Sequence, residues 1–99
     1  MLTLNLTEQA ETDLNNIYKY SLNTWGQKQA NNYLDETKKS FYLLLENPYL
    51  GKARHELKQG YRLLPLKKHI IFYSVCNEQL NILRILHARM DVNKNTFVS

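Results

Sequence analysis

Residues 69–91 read HIIFYSVCNEQLNILRILHARMD, and the fold turns on this stretch. Ile70, Ile71, Phe72, Tyr73 and Val75 form a run of β-branched and aromatic residues suited to a pleated, buried strand. Asn77 and Glu78 mark a tight turn. A second arm then runs from about Leu80 to Leu86. Strict alternation puts Leu83 and Ile85 on one side and Leu80, Ile82 and Leu86 on the other, with Arg84 among the latter. A strand that is apolar on both sides is expected to be central in its sheet. Beyond it the chemistry changes abruptly to His87, Arg89 and Asp91, so the strand delivers a charged cluster to an edge of the sheet.

Upstream, Leu2 to Leu6 alternates as a short half-buried strand. Thr7 is placed to cap the helix that follows, and Glu8, Glu11 and Asp13 load its first turns with the charge that the helix dipole favours. Small or apolar residues recur at Ala10, Leu14, Ile17, Tyr18, Ser21 and Trp25, which makes one helical face. Gly26 stops this helix. A second helix is predicted from about Gln27 to Glu46, with Ala30, Tyr33, Leu34, Thr37, Phe41, Leu44 and Leu45 as its buried stripe. Asn47-Pro48 ends it, because the residue before proline is pushed out of helical geometry. The short turn at Gly26 makes the two helices an antiparallel hairpin.

Tyr49 to Gly60 is polar and irregular, and Ala53 to Leu57 reads equally well as a short strand or a helical turn. Tyr61 to Leu66 reads as a strand whose Pro65 belongs at an edge or a bulge. The order is strand, two helices, then three strands in a meander, β-α-α-β-β-β. This is an α+β fold with a mostly antiparallel C-terminal sheet. Helices can cover only one face of such a sheet. Apolar residues on the other face predict a partner there, since a monomer rarely leaves a large apolar patch open.

Ninety-nine residues are expected to make one domain, residues 1–99, with one modest core. No apolar run approaches the roughly 20 residues that span a bilayer, and the N-terminus lacks the pattern of a signal peptide. A lone cysteine, Cys76, cannot form an internal disulfide, so a cytoplasmic setting is expected. Residues 1–47 carry four lysines against six acids, whereas residues 48–99 carry nine Lys or Arg against three acids. The basic second half suits an acidic partner, either nucleic acid or an acidic protein segment. A soluble basic surface with no specific partner has the same signature.

The run Arg84-Ile-Leu-His87-Ala-Arg-Met90-Asp91, after a strand containing Phe72-Tyr73, closely resembles the end of the ParE toxins of the RelE/ParE superfamily. Further signals fall in that family's order: Ala10 with Asp13-Leu14, Ile17-Tyr18, Trp25-Gly26 with Gln29-Ala30 and Tyr33, Asn47-Pro48 with Gly51, and Gly60-Tyr61-Arg62. The resemblance covers nearly the whole chain. It implies a toxin of a type II toxin–antitoxin system, neutralised by a cognate antitoxin on the open sheet face. ParE-type members act on DNA gyrase, blocking supercoiling and trapping the cleaved DNA–gyrase complex without hydrolysing anything. The RelE branch resembles ribosome-dependent mRNA endonucleases, which use several Lys and Arg on the middle strands. Here Leu63, Leu64, Pro65, Leu66, Ile70, Ile71 and Phe72 occupy those strands, which argues against the nuclease branch. A fold that has lost its toxicity is the remaining alternative.

The residues expected to meet gyrase, gyrase-held DNA or antitoxin are therefore Arg62, Arg84, His87, Arg89, Met90 and Asp91, with no catalytic set. A histidine flanked by arginines suits acid–base work on RNA. The same residues also fit a plainer arrangement, in which Arg84 pairs with a carboxylate and His87 satisfies backbone groups. His69 is expected to be structural and His55 solvated, and three isolated histidines make no zinc site. Gly26, Gly51 and Gly60 mark turns, not a phosphate loop, so no cofactor is called for. Along the chain no basic stripe with interleaved aromatics appears, which weighs against a simple nucleic-acid-binding domain.

Overall fold

The computed structural model describes residues 2–89. Met90 and Asp91, both expected to contact partners, lie outside the described residues. Strand β1 (Thr3–Leu6) leads into α1 (Glu8–Trp25) and α2 (Gln27–Glu46). Strands β2 (Lys52–Ala53), β3 (Tyr61–Leu66), β4 (His69–Cys76) and β5 (Gln79–His87) follow. Among the described residues they form a five-stranded sheet in the order β1-β5-β4-β3-β2. The last three pairings are antiparallel and β1 runs parallel to β5, with Leu4 opposite Leu80.

The helix boundaries follow their chemistry. The Thr7 hydroxyl accepts from the Ala10 N–H at 3.1 Å, capping α1. Gly26 takes φ +91°, a left-handed value that suits glycine, and both ends one helix and starts the next. Ala10, Ala30, Thr37, Phe41 and Leu44 are buried, so the predicted stripes do face the core. Trp25 does not: it is 60% exposed at the end of α1. Tyr20 and Tyr42 are exposed as well.

The predicted hairpin is β4 and β5, turning at Asn77 and Glu78, which both take positive φ. One feature overrides the strict alternation. Tyr73 pairs with Ile82 and Phe72 with Arg84, so Leu83 is an extra residue in β5. Such a bulge shifts every later side chain to the opposite face. Ile85 therefore joins Leu80 and Ile82 in the core with Ile71, Tyr73, Phe41 and Leu44, and Leu86 turns away. Each such buried side chain contributes about 1.5–3 kcal/mol.

β5 also outruns its neighbour. The β1 pairing ends at Leu6 opposite Ile82. Past that point the first turns of α1 take the strand's place. The Thr7 hydroxyl donates to the Leu83 carbonyl at 2.9 Å. Asp13 Oδ2 accepts from the Ile85 N–H at 3.0 Å. The same carboxylate receives Arg84 through two bonds, Nε to Oδ2 at 2.7 Å and Nη2 to Oδ1 at 3.0 Å.

At the far side of the sheet, β2 pairs only with Arg62 and Leu63, and Pro65 lies beyond it opposite Ile70. Pro65 thus sits where β3 has no outer strand among the described residues, as a residue without an N–H requires. The α2–β2 connection is fastened to β4. The Tyr73 hydroxyl donates to the Pro48 carbonyl at 2.9 Å and accepts from the Gly51 N–H at 2.8 Å.

The helix-free face is less bare than its pattern suggests. Phe72 and Leu86 point away from the helices, yet they are 1% and 4% exposed. In register, Phe72 is flanked by Leu63 on β3 and by Arg84 on β5. The large exposed apolar residues Tyr42, Leu43, Tyr49 and Leu50 belong instead to the end of α2 and the loop after it.

Two substitutions test this account. Asp13→Ala leaves a guanidinium and a strand N–H without their acceptor, and is expected to cost about 2–4 kcal/mol in urea unfolding. Removing Arg84 as well should recover part of that loss. Gly51→Ala brings a Cβ within 2.6 Å of the Leu63 carbonyl oxygen and the Tyr73 ring. It is expected to cost about 1–3 kcal/mol by the same measurement.

Candidate functional site

The most chemically varied part of the chain is the end of the sheet where β3 turns into β4 and where β5 finishes. Leu66, His69 and His87 are register partners there. The Lys67-Lys68 turn is held from three sides. Lys67 Nζ lies 2.7 Å from Glu36 of α2. The Lys68 carbonyl accepts from the Ala88 N–H at 2.8 Å. Lys68 Nζ sits 5.5 Å above the centre of the Trp25 ring.

Tyr33 of α2 reaches the same place. Its hydroxyl lies 2.6 Å from His69 Nδ1 and 3.2 Å from the Leu66 carbonyl. A phenol has one proton to give. The arrangement that satisfies both contacts has His69 Nδ1–H donating to Tyr33, and Tyr33 donating to Leu66. Burial, with help from the Glu36 charge, pushes the Tyr33 hydroxyl up to about 12, so it stays protonated. Burial also holds His69 below the usual imidazole range, and the neighbouring His87 adds to the shift. The His69 and His87 rings meet edge to face at 5.4 Å. His87 is exposed, and its Nδ1 accepts from the Arg89 N–H at 3.1 Å, which leaves the proton of the neutral ring on Nε2.

The expected interaction residues do not form one constellation. His87 and Arg89 stand together at this end, both exposed. Arg84 lies three residues back along β5, its guanidinium engaged by Asp13, with side chains 21% and 13% exposed. Arg62 is at the opposite end of β3, four residues or about 13 Å from Leu66. Arg62 Nη1 donates to the Gly51 carbonyl at 2.7 Å, and the guanidinium stacks 4.9 Å above the Tyr49 ring. Met90 and Asp91 lie outside the described residues. An open depression of about 410 Å³ beside Arg84 is lined by Asp13, Glu8, Gln9 and Thr12. Among the described residues, no group of His, Cys, Asp and Glu is placed to hold a metal ion.

Against this geometry, the family model for the ParE toxin of the type II toxin–antitoxin system parDE matches residues 4–92. The chain belongs to the ParE toxin family. It is 36% identical over 91 residues to Toxin ParE1 of Mycobacterium tuberculosis, covering 91% of this chain and 93% of that protein. It is 34% identical over 86 residues to Toxin ParE1 of Caulobacter vibrioides, covering 87% and 88%. Its fold matches a chain of the chromosomal ParDE TA system from P. aeruginosa with a TM-score of 0.76 and 25% identity, over 88% of this chain and 96% of that one.

Sequence reading missed the Tyr33–His69 contact in this ParE-family toxin, because the two residues lie 36 positions apart on elements whose docking no local pattern reveals. The one available signal was Tyr33 on a buried stripe opposite a strand that opens with histidine.

A pH titration checks the site. A group whose pKa is lower in the folded than in the unfolded chain costs stability when it must be protonated. His69 is such a group, so stability should decline as pH falls from 7.5 through its unfolded value near 6.5 to 5.5. His69→Gln should flatten that decline, read as the unfolding midpoint in urea.

Proposed function

We propose that this ParE-family toxin acts as a non-catalytic inhibitor of DNA gyrase, blocking supercoiling and trapping the cleaved DNA–gyrase complex. The observation that carries the reading is the use already made of the site's polar groups. Arg84 is committed to Asp13. Arg62 is committed to the 49–51 loop. Leu63, Leu64, Ile70, Ile71 and Phe72 hold the middle strands, where RNA cleavage would call for cations. The family resemblance supplies gyrase as the target.

The proposed antitoxin is a protein chain lying over the helix-free face, where Tyr61, Leu63 and Ile70 remain partly exposed. It binds there by side chains. Pro65 lacks the N–H that strand addition beyond β2 would use, and Thr7 with Asp13 occupies the open side of β5. Its acidic residues meet Arg89, since Arg84 already has a carboxylate. The setting is the cytoplasm, where gyrase and DNA are found, and contact extends to DNA held by the enzyme. Among the described residues, no helix is long and apolar enough to cross a membrane.

One observation favours a second reading, ribosome-dependent mRNA cleavage. His87 is exposed beside another imidazole, with Lys68 and Arg89 close in sequence and fold. That reading requires mRNA cut within translated codons and loss of cutting in His87→Ala.

The deciding experiment is a gyrase supercoiling assay with the purified toxin and a parallel search for trapped plasmid cleavage. Inhibition is expected, with linear DNA after protein digestion, little change in His87→Ala, and reversal by the antitoxin. Full supercoiling at saturating toxin would sink the gyrase reading.

A further inference from the structure

No basic stripe with interleaved aromatics runs along the sequence, but the fold assembles a compact one. Trp25 at the end of α1 and Lys68 in the β3–β4 turn lie 43 positions apart in the chain. The ammonium of Lys68 stands 5.5 Å above the indole. One face of the ring is thus engaged by a cation, while the side chain as a whole stays 60% exposed. An exposed indole offers a flat apolar ring on which a nucleic-acid base can stack.

The charges around it are mostly positive. The Lys68 carbonyl holds the Ala88 N–H, which ties the end of β5, with exposed His87 and Arg89, to the same turn. Glu36 is the carboxylate brought to this turn, and Lys67 neutralises it. Neither Lys68 nor Arg89 has an acidic partner among the described residues. The turn is also rigid. It is fastened by the Lys67–Glu36 pair, by the Ala88 bond, and by Tyr33 bonded to the Leu66 carbonyl and His69. Lys68 is therefore presented to the indole from a fastened turn, and not from a loose loop.

We propose that this corner binds single-stranded nucleic acid, with a base stacked on the open face of Trp25 and the flanking phosphates on Lys68 and Arg89. An unpaired base supplies the flat apolar surface that the indole lacks, and its phosphates match the cations. Duplex DNA meets the charges but keeps its bases inside the stack, so it leaves the indole uncovered. An acidic peptide likewise satisfies the lysine and the arginine without the ring. The site needs no gyrase, so it stands or falls separately from the target proposed above.

The test is direct because Trp25 is the only tryptophan in the chain. The free toxin is titrated with a ten-residue oligodeoxyuridine and, in a second arm, with oligouridine. Indole emission is followed alongside the anisotropy of an end-labelled strand. Emission should be quenched with a stoichiometric end point, and the tighter of the two strands identifies the sugar preferred. Two phosphate contacts predict that affinity drops about sevenfold between 50 and 200 mM salt. By anisotropy, Trp25→Ala should weaken binding about fivefold or more, the lower end of what stacking contributes. Lys68→Gln should weaken it as well. Lys58→Gln, which removes a lysine sitting 5.9 Å above Tyr61 at the other end of β3, should leave affinity unchanged. Three results would overturn the proposal: no quenching at low salt, duplex bound as tightly as single strand with Trp25→Ala unaffected, or polyglutamate bound as tightly as the oligonucleotides.

Discussion

The carboxylate of Asp13 accepts three bonds, two from Arg84 and one from the Ile85 N–H, and the position of the helices depends on it. The need arises from a mismatch in length. β1 is four residues long and β5 nine, so the second half of β5 has no strand on its outer side. Exposed donors and acceptors there would either stay wet or recruit another chain. Helix α1 fills the gap with its cap residue and an acid two turns in. The bulge at Leu83 falls where the strand neighbour gives way to the helix, and it lets Ile85 regain the core while Arg84 reaches the carboxylate. Thr7 and Asp13 thereby close a sheet edge together, and Asp13 adds an ionic tie to the apolar docking of the helix hairpin.

Much of this architecture was legible because it is local. Thr7, Gly26 and Asn47-Pro48 bound two helices whose stripes have the right period. The β4–β5 hairpin follows from a β-branched run, a turn and a second apolar run. The bulge was not legible, since one extra residue leaves no mark in a sequence apolar on both faces. For the same reason, the sides assigned to Arg84, Ile85 and Leu86 were reversed. Trp25 kept the helical spacing of its buried neighbours but sits past the end of the core, where spacing no longer implies burial. The two-residue β2 is too short for any periodic signal.

The site was less legible than the fold because its parts come from five places in the chain. α1 supplies Trp25, α2 supplies Tyr33 and Glu36, the β3–β4 turn supplies two lysines, β4 supplies His69, and β5 supplies His87. Apart from His87, none of these residues has a neighbourhood that marks a site in sequence. The plainer arrangement weighed for Arg84, a carboxylate partner, needs only complementary charge, and Asp13 provides it from 71 positions away. Arg62 was grouped with the C-terminal residues by charge, whereas antiparallel pairing sends it to the other end of the sheet.

The parallel pairing of the first strand with the last also bears on how the toxin is made. Leu4 meets Leu80, and the Asn5 amide donates to the Asn81 side chain across a separation of 76 residues. Closing a loop of that length costs on the order of 4 kcal/mol before either strand is rewarded. During translation, β1 has no partner until residues in the eighties have left the ribosome. The helical hairpin can form early, but the sheet edge it docks against is made last among the described elements. A prematurely terminated chain therefore lacks both the strand that organises the sheet and the residues at its end. The cell is exposed to a folded toxin only after β5 has been made.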